Sequence, residues 1–422
     1  MRWVTGFLLV VFVTPAAAQQ VEVTLQEAVQ RALQVQPAMV QARGLERTSG
    51  ASRTNAWGAF LPTVTFGASA SKNSLERVDQ NSKLLIPPVP NYGSSLSANI
   101  NLVTGVGQLA NIRAANATLD ASEAGVIALR FRTELETKQA FYNASATEEL
   151  VRVAESQVRR AQQQLQISID KLHAGSATRS DSLRSTVDYG NARIALLQAQ
   201  ANLATAQANL GRQIGVDQSV RARPDSALPP LPDTAALRAS AISTAPQVQQ
   251  AEAAATAARA SLWAARAQYL PTLSFSVGTN RQDTLFNRAF VNNEVHNWRI
   301  GLSWTIFDGF KREQQRVNGS VARDNAEATA ADTRRQVNAQ LTQQLATLAT
   351  TWEQIGIAHD NLAAATEDLR VQNERYRVGA ATILDLLTSQ AALTQAQVNV
   401  VQTRFNYLIA RAQVEAVVGR TL

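Results

Sequence analysis

Residues 297–306 read N-W-R-I-G-L-S-W-T-I, and apolar side chains alternate with small or polar ones along the whole segment. Because successive side chains of a β-strand point to opposite faces, this alternation predicts a strand with one apolar face. The apolar positions are Trp298, Ile300, Leu302, Trp304 and Ile306. The opposite positions are Asn297, Arg299, Gly301, Ser303 and Thr305. The same pattern predicts three more strands, over about residues 63–71, 94–102 and 272–279.

Two kinds of protein contain such strands. In an outer-membrane barrel the apolar face meets lipid, whereas in a soluble sheet it covers a core and the other face meets water. Four strands cannot close a barrel, which needs about eight, and an open sheet edge in lipid leaves backbone groups unpaired. If these strands span a membrane, they must close a barrel shared between chains, and a trimer would supply twelve strands. The alternative is an exported periplasmic coiled-coil scaffold protein with a soluble β-sheet.

The positions of the prolines predict very long helices. All 12 prolines lie outside two tracts, residues 91–223 and 272–422, and a proline inside a helix removes a hydrogen bond and clashes with the preceding turn. Residues 106–173 are predicted to form one helix of ~100 Å at 1.5 Å per residue. A rod of that length must pack on other rods, and the last helix has an apolar stripe with the 3.5-residue period of coiled coils. Its members are Leu387, Ala391, Thr394, Val398, Val401, Phe405, Leu408 and Ala412.

An internal repeat organises the chain. Matching residues recur first at an offset of 209 and later at an offset of 204. The pairs include Pro37 with Pro246, Pro62 with Pro271, Gly105 with Gly309, Gly175 with Gly379, Thr178 with Thr382, Asp181 with Asp385, and Gly215 with Gly419. The sequence therefore predicts repeat 1 over residues 19–215, a proline-rich linker over 216–233 and repeat 2 over 234–422. Each repeat is expected to contain a helix, two strands, a very long helix, a tight turn and a shorter helix. Because glycine tolerates the left-handed conformation that ends a helix, we expect Gly175 and Gly379 to form these turns, and Thr178 and Thr382 to cap the helices that follow.

The first 18 residues have the features of a secretory signal peptide. Arg2 gives a positive start, residues 7–13 are uniformly apolar, and three alanines, 16–18, precede Gln19. The apolar run is far shorter than the ~20 residues of a membrane-spanning helix. We therefore expect residues 1–18 to be a signal peptide and the mature protein to be exported.

Composition argues against several classes of function. The 422 residues include 40 Lys and Arg, 33 Asp and Glu, and no cysteine, so thiol chemistry and disulfides are excluded. His173, His296 and His359 lie too far apart for metal-ligand spacing, and no catalytic set of Ser, His and Asp or paired carboxylates stands out. Basic residues are spread among acids rather than clustered as on a nucleic-acid-binding face. We expect no enzyme activity, no cofactor, no metal site and no nucleic-acid partner.

Several short motifs, taken in order and in duplicate, resemble the TolC family of outer-membrane efflux proteins over the whole mature chain. They are Leu25-x-x-Ala28 with Ala32-Leu33 and Pro37, Leu61-Pro62 and Leu270-Pro271, Phe307-Asp308-Gly309, residues 172–178 with Asp181, and residues 376–382 with Asp385. The resemblance implies an α+β membrane protein with a long α-helical coiled-coil tunnel. In a homotrimer, four transmembrane strands per chain would close a shared 12-stranded barrel in outer-membrane lipid.

The resemblance also implies a function and its partners. The chain would be the exit duct of a tripartite efflux or type I secretion system, placed in the outer membrane with a periplasmic helical extension. A periplasmic adaptor (membrane fusion) protein would dock on the far turns of the tunnel and couple it to an inner-membrane pump of RND, ABC or MFS type. The residues expected to dock the adaptor are Gly175, Ser176, Ala177 and Thr178, with Val378, Gly379, Ala380, Ala381 and Thr382.

The resemblance also implies a gate at these turns, because residues of this chain match gate positions of the family. Asp385, Asp181 and Tyr376 match gate positions of the family, with Asp385 forming an acidic ring in the trimer. Ala381 stands where the family pattern has a linking arginine, and Thr388 where it has a second acid. Trp298 and Trp304 are expected to be lipid-facing aromatic anchors toward opposite interfaces.

Overall fold

A computed structural model gives the fold of this chain. It describes residues 21–72, 77–78, 85–86, 89–101, 105–223, 227–289 and 294–422. The signal peptide predicted over residues 1–18 lies outside this part of the chain, and so does Leu102 at the end of the second predicted strand.

Long helices and a small set of strands make up the described chain. The helices are α1 (Leu25–Val35), α2 (Pro37–Gly58), α3 (Gly105–His173), α4 (Arg179–Ile214), α5 (Thr234–Thr244), α6 (Pro246–Ala267), α7 (Lys311–Arg377) and α8 (Ile383–Val418). The strands are β1 (Val21–Val23), β2 (Thr63–Lys72), β3 (Arg77–Val78), β4 (Leu85–Ile86), β5 (Pro90–Asn101), β6 (Val220–Ala222), β7 (Thr272–Asp283) and β8 (Glu294–Ser303).

Prolines divide the first helix of each repeat into two. Pro37 and Pro246 are the first residues of α2 and α6, and the residues before them, Gln36 and Ala245, have non-helical ψ angles of 126° and 118°. Proline is well accommodated at the first helical position, but it prevents the preceding residue from continuing a helix. The single helix predicted at the start of each repeat is therefore a pair, α1–α2 and α5–α6.

The helices lie side by side in two rows that share α3 and α7. These two helices have 69 and 67 residues, which corresponds to roughly 100 Å each. Near the sheet, neighbouring helices contact one another in the order α2, α3, α6, α7, and toward the hairpin turns the order is α4, α3, α8, α7. Among the described helices, α7 lies at one end of each row and α2 or α4 lies at the other. Among the residues described, no helix combines the length and the apolar character needed to cross a bilayer.

The four long strands form one antiparallel sheet in the order β2-β5-β7-β8. The two repeats meet at its centre, where β5 pairs with β7 over ten positions from Tyr92–Asp283 to Asn101–Ser274. Within the described residues, β2 and β8 each pair on one side only, so they are the edges of the sheet. The strand pair of each repeat thus contributes one central strand and one edge strand.

The register of the sheet brings the apolar positions onto one face, because directly opposed residues of antiparallel strands share a face. One row across all four strands consists of Val64, Ala98, Val277 and Trp298. The neighbouring row on the other face consists of Thr65, Ser97, Gly278 and Asn297. We call the first of these the apolar face. Its large side chains are exposed, with 65% for Phe66, 73% for Trp298 and 71% for Leu302.

Strand β8 ends earlier than the sequence predicts. Its last residue, Ser303, pairs with Thr272, which is the first residue of β7. The residue before Thr272 is Pro271, which has no N–H to extend the ladder. Trp304 therefore follows the strand rather than belonging to it. Its indole N–H donates to the carbonyl of Tyr269 at 3.2 Å.

Two short parallel strands, β1 and β6, form a separate two-stranded sheet. β1 pairs with β6, with Val21 opposite Val220, so the predicted linker over residues 216–233 contains a strand. Beside this pair, Phe141 and Leu210 are buried in a core cluster of the first repeat. The second repeat has its own cluster around Tyr407, with members Leu237, Ala241, Leu341, Leu345, Leu348, Ala410, Val414 and Val418.

Candidate functional site

The turn between α7 and α8 is built on a left-handed glycine. Gly379 has a φ of +81°, a conformation that an L side chain adopts only with strain. The N–H of Ala380 donates to the carbonyl of Arg375 at 2.8 Å and that of Gly379 donates to Tyr376 at 3.3 Å, so these bonds cap the end of α7. Val378 at the tip is 72% exposed.

The turn between α3 and α4 repeats this geometry. Gly175 has a φ of +72°, and the N–H of Ser176 donates to the carbonyl of Lys171 at 2.8 Å. Residues 174–176 are exposed, and Ala177 is partly buried. The left-handed glycines that the sequence predicts at both turns are confirmed. Both turns are short exposed loops at the ends of long helices.

Threonine and aspartate cap the returning helices in the same way in both repeats. The Asp385 amide donates to Oγ1 of Thr382 at 3.2 Å, while the amide and hydroxyl of Thr382 donate to Oδ2 of Asp385 at 2.9 and 2.7 Å. Thr178 and Asp181 form the matching box, with an amide–carboxylate distance of 3.0 Å. The backbone N–H of Thr382, and then its hydroxyl, lower the pKa of Asp385. The two acids assigned to the gate are therefore capping residues, and in each box two of the three hydrogen bonds reach the same carboxylate oxygen, Oδ2.

Tyr376 forms a contact that joins the two hairpins. The ammonium Nζ of Lys171, near the end of α3, donates to the carbonyl of Tyr376 at 2.6 Å and lies 3.9 Å from the centre of its ring. Tyr376 is 9% exposed, and its hydroxyl is buried without a partner among the residues described. The link between the hairpins thus combines a charge-assisted hydrogen bond with a cation–π contact.

Sequence comparison between the repeats did not reveal Lys171. At an offset of 204 it matches Arg375, whose guanidinium stays in its own turn and donates to the carbonyl of Ala380 at 3.3 Å. In the sequence, Lys171 directly precedes Leu172, and Leu172 is the residue of repeat 1 that matches Tyr376. This position shows only that the lysine is near the turn. Its contact with the second hairpin depends on how the two hairpins pack.

A second cation from α3 also reaches the other hairpin. Arg160 donates to the hydroxyl of Thr394 at 2.9 Å and to the hydroxyl of Ser156 at 2.6 Å. Burial lowers its pKa, and the neighbouring Arg159 lowers it further. Like Lys171, Arg160 makes no ion pair with a carboxylate in the described part of the chain. These two cations therefore link the hairpins through uncharged acceptors, whereas farther from the turns Arg404 of α8 forms an ion pair with Glu149 of α3 at 3.3 Å.

Trp304, Trp298 and Tyr92 lie at three different levels along the sheet. Trp304 sits at the helical end, Trp298 lies in the middle of β8, and Tyr92 packs edge-on against Phe286 at the loop end with ring centres 5.5 Å apart. The two tryptophans are 62% and 73% exposed. Aromatic side chains therefore mark both ends of the sheet, and Trp298 lies between them.

Comparison with known proteins gives one family and one fold. A family model described as outer membrane efflux protein matches residues 28–216 and 237–420. The chain is 29% identical over 390 residues to the pyoverdine export outer membrane protein OpmQ of Pseudomonas aeruginosa, covering 86% of this chain and 78% of OpmQ. It is 23% identical to the outer membrane efflux protein BepC of Brucella suis, covering 71% of this chain and 67% of BepC.

Solved structures share its fold. The outer membrane protein VceC of Vibrio cholerae superposes with a TM-score of 0.82 at 17% identity, covering 94% of this chain and 96% of VceC. The CmeC outer membrane channel of Campylobacter jejuni superposes with a TM-score of 0.80 at 16% identity, covering 94% of this chain and 85% of CmeC. The arrangement of helices and sheet described above is therefore the fold of these channels.

Proposed function

The chain belongs to the outer membrane efflux protein family, and from this premise we propose that it is the trimeric exit duct of a tripartite efflux or type I secretion system. Members of the family are non-enzymatic transport ducts. In the proposal, substrates pass from an inner-membrane pump of RND, ABC or MFS type, through a periplasmic adaptor, to the outside. A passive duct takes its cargo from the pump, so selection of cargo is assigned to the pump and the adaptor.

The observation that carries the proposal is a sheet with an exposed apolar face, in which the edge strands β2 and β8 each pair on one side only within the described part of the chain. The apolar face suits lipid, whereas open edges in lipid would leave N–H and C=O groups unpaired. Pairing β8 of one chain with β2 of the next satisfies these groups, and repeating the join until the ring closes leaves no edge. Three copies give a closed barrel of twelve strands, well above the minimum of about eight.

The helical rows support the same closure. Both rows end at α7 on one side, and the other end is α2 near the sheet and α4 near the turns. Helix α4 carries an exposed apolar stripe with steps of four, seven and three residues, which fits a coiled-coil neighbour. Its members are 57–67% exposed and are Leu183, Val187, Ile194 and Leu197. Packing α7 of one chain on α4 and α2 of the next would cover this stripe and close a tunnel around the ring axis.

The two hairpin turns are proposed to dock the adaptor and to form the gate. Residues 175–178 and 378–382 lie at the ends of the longest helices, where they would project farthest from the membrane. Asp385 and Asp181 are proposed to line the closed end, each with the carboxylate oxygen that does not cap its helix. Tyr376 is proposed to hold the end closed through its contact with Lys171.

A charge introduced at each turn tests this function. We expect Gly175→Asp and Gly379→Asp, made together, to abolish export from whole cells while leaving the trimer intact, because the added carboxylates face the adaptor. The matched control replaces the same two glycines by alanine, which adds a Cβ at the same left-handed positions without adding charge. Retained export in the charged variant would remove the turns from the docking model. A chain extracted without detergent as a monomer would favour the soluble scaffold instead.

A further inference from the structure

A concave site of about 550 Å³ lies between α3 and α6 close to the sheet. Its wall includes Leu109 and Arg113 from the start of α3 and Trp263 and Arg266 from the end of α6, and it is completed by Leu270. We infer that this cavity binds an anionic glycerophospholipid of the leaflet that meets the helical end of the barrel. The inference rests on the proposed function, because it requires the sheet to span the membrane.

The basic side chains that line the cavity favour an anionic ligand. Three arginines line the cavity, Arg113, Arg259 and Arg266, and none of the described residues that line it is acidic. Arg259 donates to Glu327 at 2.6 Å. In the described part of the chain, Arg113 and Arg266 form no ion pair with a carboxylate, and the guanidinium of Arg266 lies 5.6 Å from the ring centre of Trp263. Two exposed guanidiniums facing one cavity are suited to a phosphate group, which they bind through paired N–H donors.

The apolar part of the wall selects an amphiphile over a soluble anion. Leu109, Trp263 and Leu270 are 49%, 64% and 43% exposed, although they stand beside the charged groups. Exposure of a tryptophan and two leucines at one concave site is costly in water. An acyl chain would cover these side chains while its phosphate meets the arginines. Tryptophan also favours the depth at which acyl chains meet head groups.

The position of the cavity places it at that depth. Leu270 is two residues before the start of β7, and the carbonyl of its neighbour Tyr269 accepts the indole N–H of Trp304. Trp304 in turn directly follows β8, whose Trp298, Ile300 and Leu302 belong to the apolar face. The cavity is therefore adjacent to the helical end of the apolar face, where the head groups of one leaflet would lie.

The experiment compares lipid retention by the purified protein. The protein in detergent is incubated with phosphatidylglycerol or phosphatidylcholine, and bound lipid is counted by native mass spectrometry. We expect at least a tenfold preference for phosphatidylglycerol, lost in the double variant Arg113→Gln with Arg266→Gln and kept in Arg113→Lys with Arg266→Lys. The control, Arg370→Gln with Arg377→Gln, removes the same charge from the exposed far end of α7 and should keep the preference.

The outcomes separate this inference from the proposed function. Equal retention of the two lipids, or an unchanged preference in the glutamine variant, would overturn the lipid site. Complete displacement of phosphatidylglycerol by millimolar inorganic phosphate would also overturn it, since the site would then be one for soluble anions. Channel conductance is recorded on the same preparations. A conducting trimer without lipid preference refutes only the lipid site, whereas a chain that neither trimerises nor conducts refutes the duct.

Discussion

Replacing Lys171 by methionine tests whether the hairpins are held together without an ionic lock. Methionine keeps the length and apolar stem of the lysine, but it removes the ammonium that donates to the carbonyl of Tyr376 at 2.6 Å and lies 3.9 Å from its ring. The backbone turns remain as they are, because the capping bonds of Gly175 and Gly379 do not involve this side chain. The variant therefore removes one link between α3 and α7 and leaves each hairpin intact.

The size of the effect follows from the geometry. A hydrogen bond from a charged donor contributes about 1.5–3 kcal/mol, and a cation–π contact at a partly exposed site adds about 0.5–1 kcal/mol. Residual solvation of the half-buried ammonium offsets part of this sum, so we expect a net loss of about 2 kcal/mol per chain. If the hairpins separate when the end of the tunnel opens, this loss raises the ratio of open to closed states about 30-fold, since 1.4 kcal/mol corresponds to a factor of ten.

Single-channel recording in planar bilayers measures this ratio. Lys171→Met should raise the open fraction, and Lys171→Arg should restore part of the closed state because it retains a donor and a cation. The control is Arg377→Met, which removes the same charge at the same end. Its partner Glu374 is in an exposed pair with side chains 76% and 57% exposed, and such pairs contribute about 0–1 kcal/mol.

A double-mutant cycle identifies the partner of the lysine. Tyr376→Leu removes the ring, so it should raise the open fraction in the native background and have a smaller effect once Lys171 is methionine. An open fraction equal to that of the native protein in Lys171→Met would refute the reasoning. Fully additive effects of the two substitutions would refute the ring contact.

Further predictions concern the caps and the glycines. Asp385→Ala should reduce both the cation selectivity of the channel and its block by multivalent cations. Thr382→Ala should leave both properties unchanged, since it weakens the cap but retains the carboxylate. Unchanged selectivity of Asp385→Ala in planar bilayers would count against the acidic ring. Because hydrogen bonds from Thr382 lower the pKa of Asp385, this cap should stabilise the turn fully above the ordinary carboxyl pKa of about 4. The contribution is lost as the pH falls through the lowered value, and hydrogen-exchange protection of the turn should decrease only in that acidic range. Gly379→Ala should lower the free energy of unfolding by about 1–2 kcal/mol because of its positive φ. Gly419→Ala should lower it by about 1–3 kcal/mol more, since the added Cβ would lie 2.6 Å from Cδ of Pro246. Equal thermal unfolding temperatures for the two variants would contradict this packing argument.

The sequence was sufficient to predict the elements whose structure is set by residues close together in the chain. The proline-free tract predicted the long helix that the structure places at Gly105–His173. The duplicated glycine and threonine motifs predicted the left-handed turns at Gly175 and Gly379 with their caps. Period-two alternation predicted the apolar face of the sheet, because alternation is a property of each strand alone.

Features that depend on neighbouring elements were predicted less well. The stripe through Leu387, Val401 and Phe405 is one of two seams on α8, and Leu387 is only partly buried. The second seam includes Leu386 and Leu393, which are buried in a cluster with α7. A helix that packs against neighbours on two sides has two apolar stripes, and a single 3.5-residue repeat in the sequence identifies only one of them. For the same reason, the contact of Lys171 with Tyr376 could not be found, since it joins two hairpins.

The mass of the detergent-extracted protein tests the central claim most directly. Size-exclusion chromatography with light scattering, corrected for bound detergent, gives the mass of protein in the particle. We expect three chains of 45.6 kDa each, less any signal peptide removed on export, because a closed ring of copies pairs the edge strands β2 and β8. A monomer that stays in solution without detergent would contradict the shared barrel and, with it, the duct.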